Sequence, residues 1–158
     1  MNLEIVGALM DFGSGRRGVD MGPSAIRYAG LEERLEGLGH KVKDRGNIGA
    51  PPSETLKIED PNLKYLDPIL SVCQRLADQV AESTAGGCFS VVLGGDHSIS
   101  LGSVSGAARG RNLGLIWLDA HGDFNTHETT PSGNIHGMPL AALCGIGDER
   151  LVTLGGTA

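Results

Sequence analysis

No stretch of this sequence concentrates positive charge, and that removes one large class of partner at once. Lysine and arginine together number 13 against 19 aspartates and glutamates, for a net charge of -6, and the sequence pI is about 5.3. Apart from the pair Arg16-Arg17 the basic residues are scattered, so no stripe exists that could track phosphates, and nucleic acid is excluded as a partner. Long hydrophobic runs are missing too: no window approaches the roughly 20 apolar residues that a membrane span needs. The N-terminus, Met1-Asn2-Leu3-Glu4, lacks the basic start and apolar core of a secretion signal. Cysteine is sparse. Cys73, Cys88 and Cys144 are odd in number, widely spaced and set among apolar neighbours. That argues against a disulfide framework or a zinc site and for buried thiols in a reducing compartment, here the cytoplasm. No internal repeat or low-complexity tract is present. What remains, 40% hydrophobic and 20% charged residues, describes one soluble globular domain.

Leu3 to Leu9 is a short apolar run that gives way to the glycine-rich stretch Asp11 to Gly22, the pattern of a buried strand followed by a loop. Pro23 suits the first turn of a helix in which Ile26, Leu31, Leu35 and Leu38 recur near helical spacing, with Gly37 and Gly39 to stop it. Lys41 to Ile48 reads as a polar, exposed strand, and Gly49 to Pro61, with three prolines, as a loop. Leu66, Ile69, Leu70, Cys73, Leu76, Ala77 and Val80 mark a second amphipathic helix, capped by Asp67 with Pro68 as its first residue and ended by Gly86-Gly87. Phe89 to Leu93 and Leu113 to Leu118 are almost continuously apolar, as strands covered on both faces must be. Between them, Ile99 to Arg109 reads as a short helix. This order predicts an α/β fold with a parallel sheet between helix layers.

In open parallel sheets, ligands bind beyond the carboxyl ends of the strands. After the first covered run comes Gly94-Gly95-Asp96-His97-Ser98, and after the second Asp119-Ala120-His121-Gly122-Asp123-Phe124-Asn125. Residues two apart in an extended backbone share a side, so Asp119, His121 and Asp123 can converge on one point. His97 arrives from the neighbouring strand end, past two glycines that let the backbone turn sharply. Carboxylates outnumber imidazoles and no thiolate is near, which favours manganese or another oxygen-preferring ion over structural zinc. Spacing alone leaves solvated loop carboxylates and a satisfied histidine as the alternative. Asp96 could orient a ligand or simply hydrogen-bond loop amides. Arg16 and Arg17, with Asp20, are read as bracing the first loop, and His40 and His127 as solvated. A third segment, Thr129 to Pro139, is rich in short polar side chains that in isolation mark turns equally well.

Taken together, GGDHS, DAHGDFN and SGNIHGMP, in this order after an early RRGVDMGPSAIR, resemble the ureohydrolases, and within them the bacterial arginases, along essentially the whole chain, as the N-terminal half. The resemblance implies a three-layer α/β/α fold around a parallel sheet. It also implies hydrolysis of L-arginine to L-ornithine and urea at a two-manganese site with a bridging hydroxide. By position, His97 would bind one manganese, His121 the other, Asp119 would bridge the two, and Asp123 would ligate the first and accept from the guanidinium. His136 matches the histidine that relays protons. Asn125, Thr130 and Ser132 match positions that hydrogen-bond the α-carboxylate, and Asn134 one near the α-amino group. Agmatine lacks that carboxylate, so arginine is preferred to it. The family implies homo-oligomers, trimers or hexamers.

Arginases run to about twice this length, and no second aspartate pair follows His136. The chain is therefore expected to stop about midway through the fold, with exposed strand edges that invite association, and to be inactive by itself. Two further readings stand beside that one: a non-catalytic metal-binding or regulatory short chain, and an agmatinase or other guanidino hydrolase.

Overall fold

Apolar run and glycine-rich punctuation become strand and turn where the sequence places them first. In the computed structural model, which describes residues 1–156, β1 runs over Asn2–Ala8 with every residue after Asn2 buried. Two strands flank it: β2, Lys41–Ile48, and β3, Phe89–Gly94. The sheet has the order β2-β1-β3 and both pairings are parallel. Leu3 lies opposite Phe89 and Ala8 opposite Gly94, so β1 and β3 end at the same level. On the other side the register slips between Ile5 and Gly7. The last two residues of the apolar stretch Leu151 to Ala158 lie outside the described residues.

The first helix divides. Gly22–Tyr28 forms α1 and Leu31–Gly37 forms α2, separated at Gly30, whose left-handed backbone (φ 83) interrupts the helix as glycine readily does. Ile26 and Leu38, expected on a core face, are exposed. The long helix α3 spans Leu66–Ala85 and buries Ile69, Val72, Cys73, Leu76, Ala77 and Val80. It starts at Leu66 rather than Pro68, and the residue before it, Tyr65, is itself left-handed and offers no side-chain cap. After a 3-10 turn at His97–Ile99, α4 covers Ser100–Ala108. A β-carbon on Gly102 would fall 2.9 Å from the Cα of Cys73, and one on Gly106 2.8 Å from the Cα of Ala77. These two glycines, one helical turn apart, let α4 lie directly on the backbone of α3. Two short helices, α5 at Pro139–Leu143 and α6 at Glu149–Val152, close the lower layer.

Two expectations fail. Leu113 to Leu118 is not a strand: the stretch makes no ladder among the described residues, and Ile116 and Leu118 are 86% and 93% exposed. β3 is covered only in part, with Leu93 buried but Phe89 63% exposed. The cause is shared. An apolar groove of about 290 Å³, lined by Val80, Ser90, Val92, Val104, Leu113 and Leu115 among others, lies where the two would have to meet. Neither segment therefore finds a hydrogen-bonding neighbour on that side. The cysteines also differ from expectation, since only Cys73 is buried, Cys88 being half-buried and Cys144 exposed, and all three are free. No described helix is long and apolar enough to cross a membrane.

Leu76 is fully buried on α3, so Leu76→Ala is expected to cost about 2–5 kcal/mol, read as a lowered denaturation midpoint in urea. Burial pushes the Cys73 thiol up to about 12, leaving it almost wholly protonated at about pH 8. Iodoacetamide should therefore modify Cys144 in the native protein and Cys73 only after denaturation, as mapped by peptide mass spectrometry; equal labelling would show an open α3–α4 interface.

Candidate metal centre

Because β1 and β3 end side by side, the segments that follow them are neighbours. The chain leaving β3 passes so close to β1 that a β-carbon on Gly95 would fall 3.0 Å from the Val19 carbonyl oxygen and closer still to that of Met10. The Asp96 amide donates to the Met10 carbonyl at 2.9 Å. The Asp96 side chain is buried and accepts from the Ser98 N–H and the Gly13 N–H, each at 2.9 Å. Burial raises its carboxyl above the usual range, opposed by the bonds from Ser98 and Gly13. A second buried carboxylate, Asp11, gathers the Gly18 N–H, the Ser53 hydroxyl and the Arg17 guanidinium. Arg17 also pairs with Glu54, so it braces the first loop as expected. Arg16 makes no ion pair among the described residues and instead faces a cavity.

His97, the first residue of the 3-10 turn, points its Nδ1 between two carboxylates, 2.7 Å from Asp123 Oδ2 and 3.1 Å from Asp119 Oδ2. Its ring stacks on Trp117 with centroids 4.6 Å apart. The sequence reading assigned Trp117 only to an apolar strand; nothing but its position two residues before Asp119 signals this contact. Asp119 divides its carboxylate. Oδ2 faces His97, while Oδ1 accepts the His121 N–H at 2.7 Å and lies 3.1 Å from His121 Nδ1. The bond from the His121 amide, above all, holds the Asp119 carboxyl below its usual range despite some desolvation.

The three-way convergence expected from alternation is only partly met. Asp123 reaches His97 through a turned backbone, not an extended one: its φ is 45, in the left-handed region that aspartate tolerates better than most residues. Its carbonyl accepts the amides of Leu140 and Ala141 at 3.1 and 3.4 Å, which fixes this residue at the start of α5. Among the described residues the His121 ring has Asp119 as its one hydrogen-bond partner, and its side chain is 79% exposed. The ligand atoms of His97, Asp119 and Asp123 lie within 4.8 Å of one another. Two carboxylates and one imidazole, without a thiolate, form a donor set suited to a hard divalent ion.

His136 sits in the 3-10 turn Ile135–Gly137 and donates its backbone N–H to the Gly13 carbonyl at 3.2 Å. It lines a cavity of about 310 Å³ together with Ser14, Arg16, Asp96 and His97. The remaining candidates lie in the connecting loop, where Asn125, Thr130 and Ser132 each accept a hydrogen bond from within the loop. Asn125 Oδ1 accepts from Thr129, Thr130 Oγ1 from the Gly133 N–H, and Ser132 Oγ from the Asn134 N–H. The Asn125 amide and the two hydroxyls keep donors to offer outward. Asn134 differs, since it gives one N–H to the Ser14 carbonyl. His127 is half-buried rather than fully solvated, as is His40.

Known proteins share both this architecture and this sequence. An arginase of Brevibacillus brevis is 54% identical over 156 residues, 98% of this chain and 52% of that protein. The crystal structure of Bacillus caldovelox arginase superposes with a TM-score of 0.93 at 49% identity, covering 99% of this chain and 53% of that one. An Entamoeba histolytica arginase in complex with L-ornithine superposes with a TM-score of 0.87 at 32% identity, covering 97% and 53%. The chain thus spans about half the length of the curated relatives it matches. Since the profile of the arginase family matches residues 1–157, this chain belongs to the arginase family.

Proposed function

We propose that this chain carries part of a manganese-dependent site that hydrolyses L-arginine to L-ornithine and urea. The observation that carries the reading is the divided carboxylate of Asp119, one oxygen turned to His97 and the other to His121. That is the disposition a carboxylate needs to bridge two ions. His97 and Asp123 would complete one side and His121 the other. Bound there, a pair of manganese ions would supply a water acidified enough to lose its proton near neutral pH.

The protein's own side chains have the remaining work. His136, which lines the same cavity as His97, is suited to hold and pass on a proton, since an imidazole can both accept and donate one. Asp123, held by α5, can accept from the substrate guanidinium. Asn125, Thr130 and Ser132 can donate to an α-carboxylate, and agmatine, which lacks one, would leave those donors unpaired. This favours arginine over agmatine as substrate. Among the described residues His121 and Asp119 are the only candidates for the second ion, too few to hold it firmly. The site therefore draws further carboxylates from outside these residues, and the isolated chain binds metal without turnover. A cytoplasmic homo-oligomer suits the free thiols and the exposed apolar segment.

Manganese titration followed by electron paramagnetic resonance should show one ion bound per chain, lost in Asp119→Ala; stoichiometric manganese retained by that variant would overturn the site. Urea release from L-arginine by the manganese-loaded chain is expected to be nil while a full-length relative turns over alongside. Urea that tracks the purified chain would show the site to be complete as it stands.

A further inference from the structure

The buried carboxylate beside His97 is not among the residues assigned a role above, and its bonds lead across the site. We propose that Asp96 is a positioning residue that fixes His97 and His136 relative to each other through the backbone of Gly13. The proposal rests on the reading of those two histidines given under Proposed function.

Asp96 is 5% exposed. Its Oδ1 takes the Ser98 N–H and so shapes the turn that carries His97, while its Oδ2 takes the Gly13 N–H. The other face of that loop is turned to His136, whose amide donates to the Gly13 carbonyl. One residue further on, the Ser14 carbonyl accepts from Asn134. Two hydrogen bonds and one residue of backbone therefore join the segment bearing His97 to the segment bearing His136. The covalent path between the same histidines runs through Leu113 to Leu118, which has no ladder to hold it. A second non-covalent path exists, since the Asn125 amide donates to the Gly137 carbonyl. It passes through the Asp123 carboxylate and the His97 ring, the atoms a metal would claim.

The chemistry of the tie is specific. Two backbone donors approach separate oxygens, and a carboxylate, which only accepts, satisfies both. An asparagine keeps one acceptor and sets an N–H against the other donor. Gly13 is equally constrained: a β-carbon there would fall 2.6 Å from Asp96 Oδ1 and nearer still to Ser98 Oγ. Any side chain at position 13 would push the first loop away and open the same link from its other end.

The test uses the isotope-labelled chain as it stands, with Asp96→Asn and Gly13→Ala as independent variants. Amide hydrogen exchange is followed by nuclear magnetic resonance, together with broadening of the His136 ring signals by saturating Mn2+. In both variants the His136 amide, and in Asp96→Asn the Gly13 amide, should exchange about tenfold faster or more, the loss of a charge-assisted bond, while amides of β1 and α3 keep their protection. Mn2+ should then broaden the His136 ring less, because that effect falls steeply with distance. Unchanged exchange at His136 with unchanged broadening overturns the proposal, as does an acceleration that extends equally through α3, which would make Asp96 a support of the fold at large. If Mn2+ broadens neither His97 nor His136 in the parent chain, the metal reading fails, and the exchange data still decide the tie.

Discussion

Parallel pairing of β1 with β3 governs the arrangement of everything at the candidate site. Parallel neighbours deliver their following segments to the same edge, and here Ala8 and Gly94 stand opposite each other. The loop after β1 and the turn after β3 must then share one small space. They do so through the bond from Asp96 to Met10 and the bond from Gly13 to Asp96. Those contacts admit almost no side-chain volume, which is why Gly13 and Gly95 occur where they do. The packing of α4 on α3 through Gly102 and Gly106 holds the turn bearing His97 from beneath.

Charge is the second constraint. Asp119 and Asp123 lie against one imidazole, and two carboxylates brought this close repel each other unless a hydrogen-bond donor or a cation stands between them. In the structure the His97 Nδ1 occupies that position. The cost is kept down by local donors, chiefly the His121 amide on Asp119. Asp123 is held by its backbone instead, clamped in a left-handed conformation by the first amides of α5. The two carboxylates are thus placed by different means, one by hydrogen bonding to its own loop and the other by a helix beginning sixteen residues later.

Elements whose partners lie within the chain were legible in the sequence. β1, β2 and α3 follow directly from sequence pattern and punctuation, and the segments after the two apolar runs bring His97, Asp119 and Asp123 together. Leu113 to Leu118 failed because a continuous apolar run states only that a strand can be covered, not that a neighbour is at hand. Asp123 converges for a reason that spacing cannot show, since alternation assumes an extended backbone and this residue turns. Trp117 stacking on His97 and the double role of Asp96 depend on contacts between distant segments, for which residue type alone carries no signal. Gly30 breaks the first helix in two, and the apolar spacing that continues on either side of it does not show the break.

The bond between Gly13 and Asp96 joins residues 83 apart, and that between Asn134 and Ser14 joins residues 120 apart. Contacts of such separation close long loops and are reached late, after local helices and neighbouring turns have formed. α3 and α4, adjacent in the chain, can meet early, whereas the bonds made by Gly13 and Ser14 wait for β3 and the His136 turn to arrive. Order in time therefore departs from order along the chain, and the chemical end of the molecule is assembled only when segments far apart in sequence are in place.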